Sequence, residues 1–159
     1  LGAEGLFKQA KPGALFIDCS SIDVTSSREV HQMANEHQLL AVDAPVSGGV
    51  AGATAATLTF MVGGDVNAFN AAQPILSSMG QKIVHTGNKG SGQAAKICNN
   101  MILGISMIAI SEAFSLAEQL GLSAQKLFEV VSNSSGQCWA MTKYAPVPGV
   151  LEHVPANND

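Results

Sequence analysis

The feature that most constrains this chain is a change of hydrophobic period near Gly87. Before it, short apolar runs alternate with helical stretches. Ala14 to Asp18 (ALFID) follows the turn signal Lys11-Pro12-Gly13 and reads as a buried strand. From Val24 to about Gln38, Val30, Met33 and Ala34 share one helical face. Leu39 to Asp43 is a second strand, ended by a loop at Ala44-Pro45-Val46-Ser47-Gly48-Gly49. Leu58 to Val62 is a third, stopped by Gly63-Gly64. Asp65 caps a helix over Ala68 to Met79, and Lys82 to His85 is a fourth strand. This alternation is the signature of an α/β fold with a parallel sheet.

After Gly87 the period is helical only. Ser91 to Leu120 reads as one long helix, apolar nearly all round, the buried spine of a helical domain. Its charge-free run, Ile97 to Ser111, is shorter than the ~20 residues that cross a bilayer, so no membrane is expected. Gly121 closes the helix, and Ser123 caps another to about Val131. Ser134-Ser135-Gly136 makes a loop, and Cys138 to Tyr144 a last helical turn. Beyond Tyr144, Pro146, Pro148 and Pro155 break any regular element.

Composition narrows the function classes. Apolar residues are 47% of the 159 and charged residues 13%, enough to build a core and too apolar for a disordered chain. A net charge of -4 without a basic stripe argues against nucleic acid. Cys19, Cys98 and Cys138 form no CxxC pair, and the four histidines have no HxxxH spacing. No metal site is expected, and the compartment is a reducing one. Leu1-Gly2-Ala3 shows no initiator Met and no signal peptide.

Three segments could carry chemistry. Ser47-Gly48-Gly49 follows the carboxyl end of a strand, where open α/β sheets bind ligands. Its exposed N–H groups and hydroxyl suit a carboxylate or phosphate. A bare Ser-Gly-Gly is also an ordinary flexible turn. Lys96 and Asn100 sit one turn apart near the start of the long helix, behind Gly87, Gly90 and Gly92. Desolvation brings an amine toward general acid/base duty near neutral pH; a surface lysine beside solvated asparagines is the plain alternative. The glycines are not a dinucleotide fingerprint, because no ribose-binding acid follows a next strand. Asp18-Cys19-Ser20-Ser21 ends the first strand and could line a cofactor crevice or simply cap a helix.

Taken in order and spacing, these segments resemble the β-hydroxyacid dehydrogenase family. The resemblance runs through Asp43 to Gly49, Leu58 to Gly64, Gly90 to Met101, Ser134 to Trp139 and Pro146 to Val150, nearly the whole chain. It implies the C-terminal half of a Rossmann-type dinucleotide-binding domain over 1–89, followed by the start of an all-helical domain over 90–159. Lys96 matches the family's catalytic lysine and Asn100 the asparagine beside it. Ser47, Gly48 and Gly49 match the segment that holds the substrate carboxylate. Ser21 falls where the family has Thr beside the nicotinamide.

The implied reaction is hydride transfer from 3-hydroxyisobutyrate to NAD, giving the semialdehyde of valine catabolism. NADP stays open as cofactor. The alternatives are a related reductase of tartronate semialdehyde or glyoxylate, and a dehydrogenase-fold binding module without catalysis. A small hydroxyacid is the expected partner, with a homo-oligomer in the full-length protein. The compartment would be bacterial cytoplasm or the mitochondrial matrix.

The chain also departs from the family. Val24 replaces the family's Pro at the helix start, and Ala56 stands where Gly is usual, which strains the backbone if φ is positive there. The family's opening strand and GxGxxG turn have no counterpart here, and neither does its later helical region. Asn157-Asn158-Asp159 looks like the start of an internal loop. The expectation is a piece of a longer enzyme, inactive by itself.

Overall fold

A computed structural model describes residues 5–151; the sequence features at Leu1-Gly2-Ala3, Pro155 and Asn157-Asn158-Asp159 lie outside the described residues. The chain divides into two compact units, Leu1–Cys98 and Asn99–Asp159.

The first unit is α/β. Its elements are α1 (Leu6–Gln9), β1 (Leu15–Asp18), α2 (Val24–Glu36), β2 (Leu40–Asp43), β3 (Val46–Ser47), α3 (Gly49–Thr54), β4 (Leu58–Gly63), α4 (Val66–Leu76) and β5 (Gly80–Gly87). β1 and β2 pair in parallel, Leu15 opposite Leu40 through Asp18 opposite Asp43. β4 and β5 also pair in parallel. Between these ladders the direction reverses, since β4 runs antiparallel to β2 and β3. The cause is local. β3 prolongs the course of β2, and only the short α3 links it to β4, too brief a connection for the crossover that parallel neighbours need.

Successive strand residues face opposite sides, and the core follows that alternation. On one face Val42, Phe60 and Val62 pack with Ala68, Ala72 and Leu76 of α4. On the other, Phe7 and Ala41 pack with Ala34, and Phe16, Val30 and Met33 close round them. Leu15 and Ile17 serve the first face and Phe16 the second. Asp65 caps α4, as the sequence indicates, by accepting the Asn67 and Ala68 N–H groups at 2.9 Å. The cap of α2 is Asp23, which accepts from Ser26 at 2.9 Å.

The sequence pattern does not announce α1, β3 or α3. β3 exists through pairing with β4, Val46 to Phe60 and Ser47 to Thr59, which no local signal reveals. α3 is spelled Gly-Val-Ala-Gly-Ala-Thr, a run with no apolar period.

The second unit is helical. α5 (Ser91–Gln119) begins in the first unit and continues through the second, followed by α6 (Ala124–Ser132) and α7 (Trp139–Tyr144). Ile110 and Phe114 of α5 pack with Ala140, Met141 and Ala145, and Leu127, Phe128 and Val131 lean on this cluster. Gly121, at φ +77°, turns the chain out of α5, and the Leu122 N–H closes the end on the Ala117 carbonyl at 2.8 Å.

The expectation of a buried spine is corrected here. Met101, Ile102, Ile105, Ile108 and Leu116 are all exposed. Among the described residues of this unit, two short helices and the segment from Val147 to Leu151 pack on the Ile110–Phe114 side. By length and composition alone α5 could cross a membrane.

Candidate active site

Parallel pairing of β1 with β2 brings their carboxyl ends level, and the Ala44 N–H donates to the Asp18 carbonyl at 2.7 Å. Two segments therefore continue side by side from these ends: the loop Cys19-Ser20-Ser21-Ile22, and Ala44 to Gly49, which passes through β3 into α3.

The first loop is held at several points. Asp18 Oδ1 accepts the Ser20 N–H at 2.9 Å. Gln93, fully buried near the start of α5, accepts the Ile22 N–H on Oε1 at 3.2 Å and donates from Nε2 to the Ser20 carbonyl at 2.7 Å. One amide thus brackets Ser21, which is exposed. Capping of α2 falls to Asp23, so neither Ser20 nor Ser21 is consumed by that duty.

The start of α5 is itself anchored by Asp43, the last residue of β2. Its Oδ1 accepts the Gly90 N–H and its Oδ2 the Gln93 N–H, both at 2.9 Å. His31 Nε2 lies 2.9 Å from the same Oδ1. Asp43 is only 2% exposed, a position where a carboxylate must be satisfied by partners. Burial pushes its carboxyl up, but the bonds from His31, Gln93 and Gly90 outweigh burial and hold it below its ordinary value. A negative charge at this helix end also meets the positive pole of the peptide dipoles.

At Gly92 the helix start lies directly against the sheet's main chain. A Cβ on Gly92 would lie 2.6 Å from the Asp43 carbonyl oxygen, and closer still to that of Met61. Glycine is required there by proximity.

The second segment carries Ser47, Gly48 and Gly49. Ser47 is half-buried and pairs with Thr59, whereas the two glycines are exposed. Gly48 has φ +137°, and a Cβ on it would lie 3.0 Å from Leu58 Cδ2.

Lys96 follows Gln93 on α5 and is half-buried. Among the described residues it forms no ion pair. Asn100 is exposed and belongs to the second unit, where its Oδ1 accepts from Asn99 Nδ2 at 3.3 Å. The structure therefore joins Ser20–Ile22, Asp43 and Gln93 by direct bonds. Lys96 is tied to that cluster through its own helix.

Sequence reasoning gave no role to Asp43, Gln93 or His31. One signal was available: an acid ending the apolar run Leu39–Asp43 must find donors once buried. The three cysteines are free. Among the described residues no group of His, Cys, Asp or Glu could hold a metal.

Comparison with known proteins places this geometry. Residues 1–87 match the family model described as the NAD binding domain of 6-phosphogluconate dehydrogenase. Residues 90–152 match the model described as NAD-binding of NADP-dependent 3-hydroxyisobutyrate dehydrogenase. A probable 3-hydroxyisobutyrate dehydrogenase of Mycobacterium tuberculosis is 58% identical over 94% of this chain and 51% of its own. An NAD-dependent L-serine dehydrogenase of Pseudomonas aeruginosa is 48% identical over 100% of this chain and 53% of its own.

Among solved structures, the Mycobacterium tuberculosis 3-hydroxyisobutyrate dehydrogenase with L-serine superposes with a TM-score of 0.91. It is 57% identical, over 96% of this chain and 53% of the other. The chain spans about half the length of the curated relatives it matches. On the match of its α/β unit and of the helical residues after it, the chain belongs to the β-hydroxyacid dehydrogenase family.

Proposed function

We propose that the protein carrying this chain is an NAD-dependent dehydrogenase that oxidises the 3-hydroxyl of a short hydroxyacid, 3-hydroxyisobutyrate, to the semialdehyde. The reading divides the chain into a partial dinucleotide-binding domain, 1–89, and a partial all-helical domain, 90–159. The observation that supports it most is the shared anchorage of two segments. Gln93 brackets Ser21 with its side chain, and its own N–H is fixed by Asp43 one helical turn before Lys96.

NAD supplies the hydride acceptor when bound. The residues present fit its nicotinamide end: Ser21 is an exposed hydroxyl at the carboxyl end of β1, free of capping duty and held in place by Gln93. In this reading Lys96 takes the hydroxyl proton on Nζ as hydride leaves the same carbon. The alcohol thus loses two electrons and two hydrogens. Asn100 holds the substrate beside Lys96. Ser47 and the N–H groups of Gly48 and Gly49 receive the carboxylate, which fixes the reacting carbon by its far end.

A second reading of the substrate is L-serine, which is also a 3-hydroxy acid. It is favoured by the relative named for that activity and by the L-serine in the related structure. The bacterial cytoplasm is the proposed compartment, or the mitochondrial matrix in a eukaryote. A homo-oligomer is the proposed assembly.

The test is steady-state turnover of the full-length protein with NAD and NADP against 3-hydroxyisobutyrate, L-serine and, in the reducing direction, tartronate semialdehyde and glyoxylate. The highest kcat/KM with 3-hydroxyisobutyrate and NAD is expected. Absence of nicotinamide-linked turnover with all four would sink the proposal.

A further inference from the structure

We infer that Gln93 is a positioning residue for the cofactor, acting through the Ser20–Ile22 loop. The inference rests on the proposed function for what the loop binds, and on geometry alone for what holds the loop.

Gln93 is 1% exposed, yet its amide does not serve α5. It reaches out of the helix to a segment 71 and 73 positions earlier in the chain. Oε1 accepts from the Ile22 N–H and Nε2 donates to the Ser20 carbonyl, so the amide grips the backbone on both sides of Ser21. Two main-chain bonds spanning one residue fix the direction in which that residue presents its side chain. A single bond would leave the loop free to pivot.

The grip is firm because its base is fixed. The Gln93 N–H is held by Asp43 Oδ2, and Asp43 Oδ1 takes the Gly90 N–H and His31. A buried amide with both its ends used in this way costs the fold nothing in lost hydrogen bonds. A core position that needed only volume would be met by Met or Leu. The donor and the acceptor are explained by the loop they hold. Ser21 is therefore aimed from the same helical turn that leads to Lys96, and a shift of α5 would carry both groups together.

The experiment compares wild type, Gln93→Met and Gln93→Glu in the full-length protein. Methionine keeps the volume and removes both bonds. Glutamate keeps an acceptor for Ile22 and loses the donor to Ser20. In cofactor-free protein, amide exchange at Ile22 should quicken about tenfold in Q93M and about threefold in Q93E, where one of the two bonds is left. NAD dissociation constants by calorimetry should rise about tenfold in Q93M and about threefold in Q93E.

KM for the hydroxyacid should stay within about twofold in both variants. On a Ser21→Ala background Q93M should weaken NAD binding further by less than about twofold, because the two residues act on one contact. Faster exchange at Ile22 with unchanged NAD affinity overturns the inference and leaves the proposed function standing. So does an additive double mutant. Wild-type protein that fails to bind NAD overturns both. If Q93M does not fold, wild-type NAD affinity in Q93E overturns the inference.

Discussion

His31 Nε2 and Asp43 Oδ1 stand 2.9 Å apart, and that same oxygen accepts the Gly90 N–H that opens the way into α5. The pair joins α2, the end of β2 and the start of α5 at one buried carboxylate. Its protonation state is therefore a property of the fold.

Asp43 is held below its ordinary carboxyl value despite burial. A group depressed on folding contributes stability above its unfolded pKa, about 3.9, and loses it as pH falls through the lower folded value. Urea midpoints should therefore fall steeply below about pH 4 in wild type. Asp43→Asn should cost about 2 kcal/mol at neutral pH, since one of the two N–H donors or His31 is left facing an amide NH2. It should also flatten the acid limb. Parallel acid limbs in the two proteins would show that Asp43 is not its source.

Ala56 has φ +53°, the left-handed strain that the sequence made conditional on this angle. Ala56→Gly should stabilise the protein by about 0.5 kcal/mol, the relief of strain exceeding the added freedom of the unfolded chain. Gln38, at φ +58° after α2, should respond likewise. Thermal or urea unfolding checks both. A loss of stability at both sites would contradict the backbone argument.

Gly92 admits no Cβ against the Asp43 and Met61 carbonyls. Gly92→Ala must push the helix start off the sheet and should cost about 3 kcal/mol. Because the displaced turn leads to Lys96, residual folded enzyme should also lose turnover. Denaturation and kcat measured on the same preparation test the two effects. Wild-type values of both would refute the close approach.

Lys96→Ala should lower kcat about 10³-fold with little change in NAD affinity, the usual size of a general acid/base contribution. Lys96→Arg places a guanidinium that stays protonated where the reaction needs a free base, and should not restore the rate. Less than a tenfold drop in K96A would remove Lys96 from the proton-transfer role.

Much of the scaffold is legible in the sequence. The apolar runs at Leu15–Asp18, Leu40–Asp43 and Leu58–Gly63 are strands, and Asp65 caps the helix it announces. These signals are local, carried by neighbours in sequence. What escapes is non-local. Val46–Ser47 is a strand only because Phe60 and Thr59 lie opposite. The exposed face of α5 reads as buried because its apolar residues say that a helix can be covered, without saying what covers it.

The site divides the same way. Ser21, Ser47 and Lys96 can be singled out as residue types in short motifs. The bonds that organise the cluster run from Asp43 to donors 47 and 50 positions away, and no short window of sequence contains both ends.

The anchorage of α5 uses main-chain N–H groups of Gly90 and Gln93, while the loop beyond β2 lies on the other side of Asp43 in sequence. On the proposed function, substitutions in Ser47–Gly49 would therefore retune how the acid is held without removing the bonds that fix the turn leading to Lys96. In such an arrangement selectivity and reactivity can drift independently, and a lineage can explore new substrates without first losing its chemistry.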